Sequence, residues 1–537
     1  MKTLALLALV ACNPPDRGPK FHAAGHAQPV NGGTLRFATK DQVRTLDPAI
    51  AYEEVSSYAV HALYDTLVDY DVAKRGDDAS GFAVVPHLAA HYEVSSDGLE
   101  YHFWLRDGIA FSDGTPVVAD DFLYSFDRTL SRADSPFIPN LLDIEGAKDV
   151  VAKQATHCAG ITAPSPREVV IRLEQRNMAF LVMLTMSFAT PQRRTFVEQV
   201  GDEIQSRALG TGPFVLEQWD QGRRLVLARN PHYWDAAAIH LDRIELVENT
   251  PRDTQFLMFE RGELDSAERL AAPDYLWIID QKDWAPYVEH RPVMNAYGSR
   301  MNVRVKPFDD RRVRQALNYA TNKDHELKLL NGAAVASHGV MPPGIFGRDD
   351  SIPPYPHDPA KARALLAEAG YPNGFDTDYV IMNDDEAERL ASSLQGDLAE
   401  VGVRMHISIM SFATYATAIG SKDGPAFSKG SWLGDFADPI NFLDARFSRA
   451  AIADENSVND SFYSNPELER LLADAHGEAD RGTREGLYHR AERILYDDAP
   501  WIWEYHQEVT EVIQPYVAGY SLHPIWMRDY TRAWLDR

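Results

Sequence analysis

Between Val84 and Arg128 the sequence is punctuated by three Asp-Gly pairs, Asp97-Gly98, Asp107-Gly108 and Asp113-Gly114, set among residues that alternate in polarity. Tyr101, Phe103 and Leu105 alternate with His102, Trp104 and Arg106. That period belongs to a half-buried strand, and Asp-Gly supplies a tight hairpin turn, so the run predicts a meander of short strands. A helix is expected next, because Ala119-Asp120-Asp121 offers a cap and Phe122, Ser125, Phe126 and Thr129 share one face. Strands that feed helices in this way restrict the body to a mixed α/β or α+β architecture.

The same alternation continues along the chain. A strand is expected at residues 32–38, a helix at 53–64, a strand at 168–174, two strands around a turn at Gly222, a strand at 244–248 and a short helix at 254–261. Beyond Met301 helices dominate, at 310–322, 359–370, 386–401, 466–478 and 483–495, with a strand at 403–409. Two aromatic-rich strands, 501–505 and 510–513, precede the tail.

With 537 residues the chain exceeds what one core supports, and roughly 150 residues per domain predicts two to four domains. Lys plus Arg number 53 against 79 Asp plus Glu, a formal charge of −26 with no basic block, which argues against nucleic acid as a partner. The two cysteines, Cys12 and Cys158, lie in unlike contexts, and no disulfide is expected between them. Residues 1–12 carry one lysine and an apolar run too short to span a bilayer, so they read as an export signal, or else as the start of a helix or strand. Leu9-Val10-Ala11-Cys12 resembles the bacterial lipobox, which implies cleavage before Cys12 and lipidation of its thiol. Residues 13–31, rich in Pro and Gly, read as a flexible tether, and His22 and His26 within it as solvated rather than as metal ligands.

The stretch from Ala426 to Ala445 carries two acids, Asp435 and Asp438, through an otherwise apolar run, with Trp432 upstream and Pro439 downstream. Either they are turn residues, or one of them meets the positive charge of a ligand in a mostly apolar pocket. Enzyme signatures are missing. There is no Gly-x-Ser-x-Gly, no His-Glu-x-x-His, no phosphate loop and no Gly-x-Gly-x-x-Gly, and neither catalysis, a metal nor a cofactor is expected.

Pro86-His-Leu-Ala, Leu105-Arg-Asp-Gly, Phe111-Ser-Asp-Gly-Thr-Pro and Ala119-Asp-Asp-Phe together resemble the extracellular solute-binding proteins of family 5, the oligopeptide and dipeptide receptors of ABC importers. The likeness continues through Gly210-Thr-Gly-Pro-Phe, Arg229-Asn-Pro-His-Tyr-Trp, Phe308-Asp-Asp-Arg-Arg-Val-Arg-Gln-Ala-Leu, Pro342-Pro-Gly and Leu365-Leu-Ala-Glu-Ala-Gly-Tyr-Pro. It implies an α/β, two-lobed periplasmic-binding-protein fold of type II, the Venus-flytrap form, with an extra inserted subdomain. By that analogy residues 32–58, 191–294 and 501–537 form lobe I, 59–190 the insertion and 295–500 lobe II.

The implied function is capture of a peptide between the lobes and delivery to the permease subunits of an ABC transporter. The receptor would be a monomer in the periplasm or at the cell surface, held to the membrane by lipid at Cys12. In peptide-binding members the motif Trp-x-x-Asp places the aspartate on the ligand α-amino group, which points to Asp435, with Trp432 either walling the pocket or packing in the core. Lys429 would meet a ligand carboxylate or stand solvated, and Phe412 would line the pocket. The same scaffold also serves nickel chelates, haem, opines and oligosaccharides, and a structural or chaperone-like surface lipoprotein is a third reading.

Overall fold

The computed structural model describes residues 18–71, 82–270, 272–525 and 527–537. Cys12 and the lipobox lie outside the described residues. Among those described, no helix is long and apolar enough to cross a membrane.

Three sheets organise the chain. The first holds Thr34–Ala38, Arg243–Val247, Arg224–Arg229 and Phe214–Asp220 in that order, its first pair parallel and the others antiparallel. Gly222, at φ 75°, makes the turn that the sequence places between its last two strands. One face buries Leu35, Phe37, Leu227 and Ile244 against the helix Glu54–Leu63, which contributes Tyr58, Ala62 and Leu63. Each such side chain, once fully buried, adds about 1.5–3 kcal/mol.

The second sheet, Ala89–Val94, Glu100–Leu105, Glu168–Arg172 and Ile161–Ser165, packs Phe103 and Ile171 on Phe122 and Phe126 of the helix Ala119–Ser131. Here the expected meander shrinks to one hairpin. After Leu105 only the bridge between Ala110 and Pro116 remains, because Glu100–Leu105 takes its second partner from the distant strand Glu168–Arg172. Gly98, Gly108 and Gly114 all adopt positive φ, so the Asp-Gly turns are present even where strands are not.

The third sheet is the largest and centres on Trp501–Ile513, a single strand where two were expected. Its first half pairs with Asn295–Met301 and Ala334–Ala336, its second half with Ser266–Glu268 and Val288–Pro292. The packing divides in the same way: Trp501 and Trp503 join Phe447 and Tyr488, whereas Val509 joins Leu35 and Val512 joins Phe259. The chain therefore passes from one core to another inside this strand. Its return path is the short link from Pro292 to Asn295.

The helices of the second lobe begin where side chains satisfy their first amides. Asp310 accepts from Arg312 N, Asp358 from Lys361 N, Asn465 from Glu467 N and Leu468 N, and Asp480 from Thr483 N. Each cap adds about 1 kcal/mol.

The described part of the stretch read as a tether, residues 18–31, makes contacts with the rest of the chain. Phe21 stands edge-on to Tyr516 at 6.3 Å, Ala24 N donates to Asp536 O at 2.8 Å, and His26 bonds the Asp536 carboxylate through both N and Nδ1. Proline and glycine deny this stretch a helix or strand, yet one aromatic anchor and the C-terminal segment tie it down. Cys158 is buried, its thiol pushed up to about 12 by burial, as befits a packing residue.

Candidate functional site

The strand Phe427–Leu433 runs antiparallel to Asn295–Met301, with Leu433 opposite Asn295. It therefore ends beside the link between the lobes. Gly434 N donates to Met294 O at 2.5 Å, and a Cβ at Gly434 would lie 2.6 Å from the Phe442 ring and 3.1 Å from Met294 O. Only glycine fits so close an approach. The next residue, Asp435, is delivered to the mouth of the gap.

Asn441 then fixes Asp435 from two sides, accepting from Asp435 N at 2.9 Å and donating Nδ2 to Oδ2 at 3.2 Å. From the other lobe, the Tyr52 hydroxyl donates to the same Oδ2 at 3.1 Å. All of these donors are neutral. Burial lifts the carboxyl to about 6, with the bonds from Asn441 and Tyr52 pulling the other way, and no cation among the described residues pairs with it.

Asp435 lines a cavity of about 150 Å³ between the lobes. The helix Glu54–Leu63 supplies one wall through Glu54, Ser57 and His61, which share a face at helical spacing. Thr66, Asp69, Phe137, Thr185 and Ser187 close another side, and Val293, Met294 and Ile525 the floor near the interlobe link. No lysine or arginine is among the residues that line it. Burial pushes His61 down to about 4, which leaves it neutral, and Asp69 up to about 7. The cavity thus offers carboxyl groups and neutral donors, a surface matched to a cationic group.

The two acids of the motif part company. Asp438 accepts from Arg484 Nη2 at 2.7 and 2.9 Å and caps the turn Pro439–Asn441 through Ile440 N. It is a structural group, and the turn reading holds for it. Trp432 is not among the cavity's lining residues. It packs, partly buried, against the core of the second lobe with the Arg446 guanidinium 5.1 Å from its ring.

The reading of Lys429 as solvated or as facing a ligand is corrected: the residue is 7% exposed, and its ammonium is held by the buried Glu504. Glu504 also accepts from Ser299 Oγ at 2.5 Å, and Lys429 lies 4.9 Å from the Tyr505 ring. A buried lysine without a partner would be costly, and this one has a partner on another strand of the same sheet. Phe412 heads the helix Phe412–Ile419, and its side chain lies outside the described residues. Tyr52, Glu54, His61 and Asp69 went unremarked in the sequence. The signal that could have found the helix face is the polar stripe Glu54, Ser57, His61 on a largely apolar helix.

Two lobes with separate cores, joined by one long strand and one short link and facing each other across the cavity that holds Asp435, define a clamshell receptor for a small solute. A model of the bacterial extracellular solute-binding proteins, family 5, matches residues 83–454. The chain is 28% identical over 529 residues to a probable di/tripeptide-binding protein 5 of Pseudomonas aeruginosa, covering 95% of this chain and 97% of that one. It is equally 28% identical, over 555 residues, to heme-binding protein A of Haemophilus influenzae, with 97% and 95% covered. Among solved structures, the periplasmic binding protein DppA of Helicobacter pylori in complex with the peptide STSA superposes with a TM-score of 0.80 at 26% identity, covering 95% of this chain and 99% of that one. The chain belongs to the bacterial extracellular solute-binding proteins, family 5.

Proposed function

We propose that this chain is the peptide-capturing receptor of an ABC importer, which holds a short peptide between its lobes by the α-amino group and presents it to membrane permease subunits. The observation that carries the reading is Asp435, a carboxylate facing the interlobe cavity, braced by Tyr52 and Asn441 and lacking a cation of its own. An ammonium entering the cavity would supply the missing charge and gain a strong, charge-assisted hydrogen bond. The similarity to di/tripeptide-binding relatives supports the same ligand class. On this reading the protein catalyses nothing and needs no cofactor.

The lobes are assigned as a discontinuous first lobe, the insertion of residues 59–190, and a second lobe that runs to the middle of Trp501–Ile513. The lipobox-like Leu9-Val10-Ala11-Cys12 supports attachment of the monomeric receptor to a membrane by lipid at Cys12.

The test is native mass spectrometry of the protein lacking residues 1–12, followed by denaturation and sequencing of what is released. Co-purified short peptides are expected. Released haem, a sugar or a metal chelate would overturn the peptide assignment and leave the two-lobed receptor standing.

A further inference from the structure

A second interlobe cavity, of about 660 Å³, is lined by Lys40, Arg252, Arg269, Asp384, Glu386 and Arg389, among others. It adjoins the first through one ion pair. Glu54 stands in the wall of the smaller cavity and Arg269 in the wall of the larger, and the Arg269 guanidinium bonds Glu54 at 2.9 and 3.0 Å. Both partners are braced. The Tyr58 hydroxyl donates to Glu54, and Arg269 N donates to Thr510 O at 2.8 Å in the long interlobe strand. Arg269 adopts φ +47°, a left-handed conformation that costs a residue with a Cβ, and its Nε is buried with no hydrogen-bond partner among the described residues. Strain and an unmet donor at one arginine between two cavities mark a contact that can be exchanged for another.

The volumes say what the pair does. The smaller cavity falls below the roughly 300–1,000 Å³ of pockets for drug-sized ligands, whereas the larger lies within that range. A ligand anchored at Asp435 and confined by Glu54 and Arg269 must be small.

Resting on the peptide reading above, we propose that the Glu54–Arg269 ion pair is the partition that sets ligand length. A short peptide ends against it, and a longer one enters the larger cavity only by parting it. Removal of Arg269 alone would strand Glu54 without its counter-charge, so the informative change removes both.

The test measures binding of tri-alanine and hexa-alanine by calorimetry to the wild-type protein, to E54A/R269G and to R269K. In the wild type the hexapeptide is expected to bind at least about tenfold more weakly than the tripeptide, and in E54A/R269G that ratio should fall about tenfold. R269K, which keeps the charge pair, should retain the wild-type ratio. Should E54A/R269G fail to fold, E54Q/R269M removes the charges at nearly constant volume and carries the same expectation. A wild type indifferent to length, or a ratio unmoved in the folded double variant while tripeptide still binds, overturns the partition. Absence of binding by peptides of any length to the wild type overturns the peptide reading, and the partition with it.

Discussion

Tyr52 and Asp435 meet across the interlobe gap, hydroxyl to carboxylate at 3.1 Å, although 383 residues separate them in sequence. The bond joins the lobes at the point where a ligand amine would dock. Loss of a neutral donor of this kind costs about 0.5–1.5 kcal/mol, so Tyr52→Phe should weaken peptide binding by roughly two- to tenfold, as measured by calorimetry.

Asp435→Asn removes the charge and keeps the shape. Breaking a desolvated charge pair by changing one partner costs about 2–5 kcal/mol, so peptide affinity should fall by roughly 30-fold to several thousandfold. The melting temperature should not drop, because Asp435 holds no cation in the empty protein. Unchanged affinity would remove Asp435 from its role.

Affinity should also depend on pH. Burial raises the Asp435 carboxyl to about 6, above its unfolded value, so the empty receptor takes up a proton as pH falls through 6 and loses the anion that an ammonium needs. Between pH 7.5 and pH 5 the ionised fraction drops by about tenfold, and the dissociation constant should rise by about the same factor. For the empty protein the sign is opposite: the folded state binds more protons than the unfolded one in this window, so protonation of Asp435 adds stability as pH falls from about 6 towards 4. In Asp435→Asn the step near pH 6 should vanish, and any residual dependence near pH 7 would belong to Asp69, which shares the cavity.

Two buried pairs carry the opposite expectation. Asp438→Ala would leave Arg484 buried without its carboxylate, and Lys429→Met would leave Glu504 without its ammonium, each destabilising by about 3–5 kcal/mol in chemical denaturation. Lys429→Met combined with Glu504→Leu should recover much of that loss, because removing both charges avoids the stranded one.

These pairs also show how far the sequence could be read. Asp435 and Asp438 sit three residues apart in the same apolar run, and nothing local separates them. The separation comes from Arg484, 46 residues downstream, which takes Asp438 and leaves Asp435 open. Lys429 similarly finds Glu504 75 residues away, and a lysine three residues before a tryptophan gives no hint of that. Local signals travelled better: the hairpin turn at Gly98, the turn at Gly222 and the capped helices at Asp310, Asp358 and Asn465 follow from residue types a few positions apart. Sequence reading divided Trp501–Ile513 at its less apolar centre, although the strand is held continuous by partners from both lobes. Phe21 was likewise invisible as an anchor, since Tyr516 arrives from the far end of the chain.

The claim that an α-amino group is the feature recognised is tested most directly by titrating tri-alanine and N-acetyl-tri-alanine into the same preparation. The acetyl cap removes the positive charge and leaves the rest of the ligand unchanged. The account predicts that the free peptide binds and that the acetylated one binds at least about 100-fold more weakly, a difference of about 2.7 kcal/mol. Equal affinity for the two would contradict it.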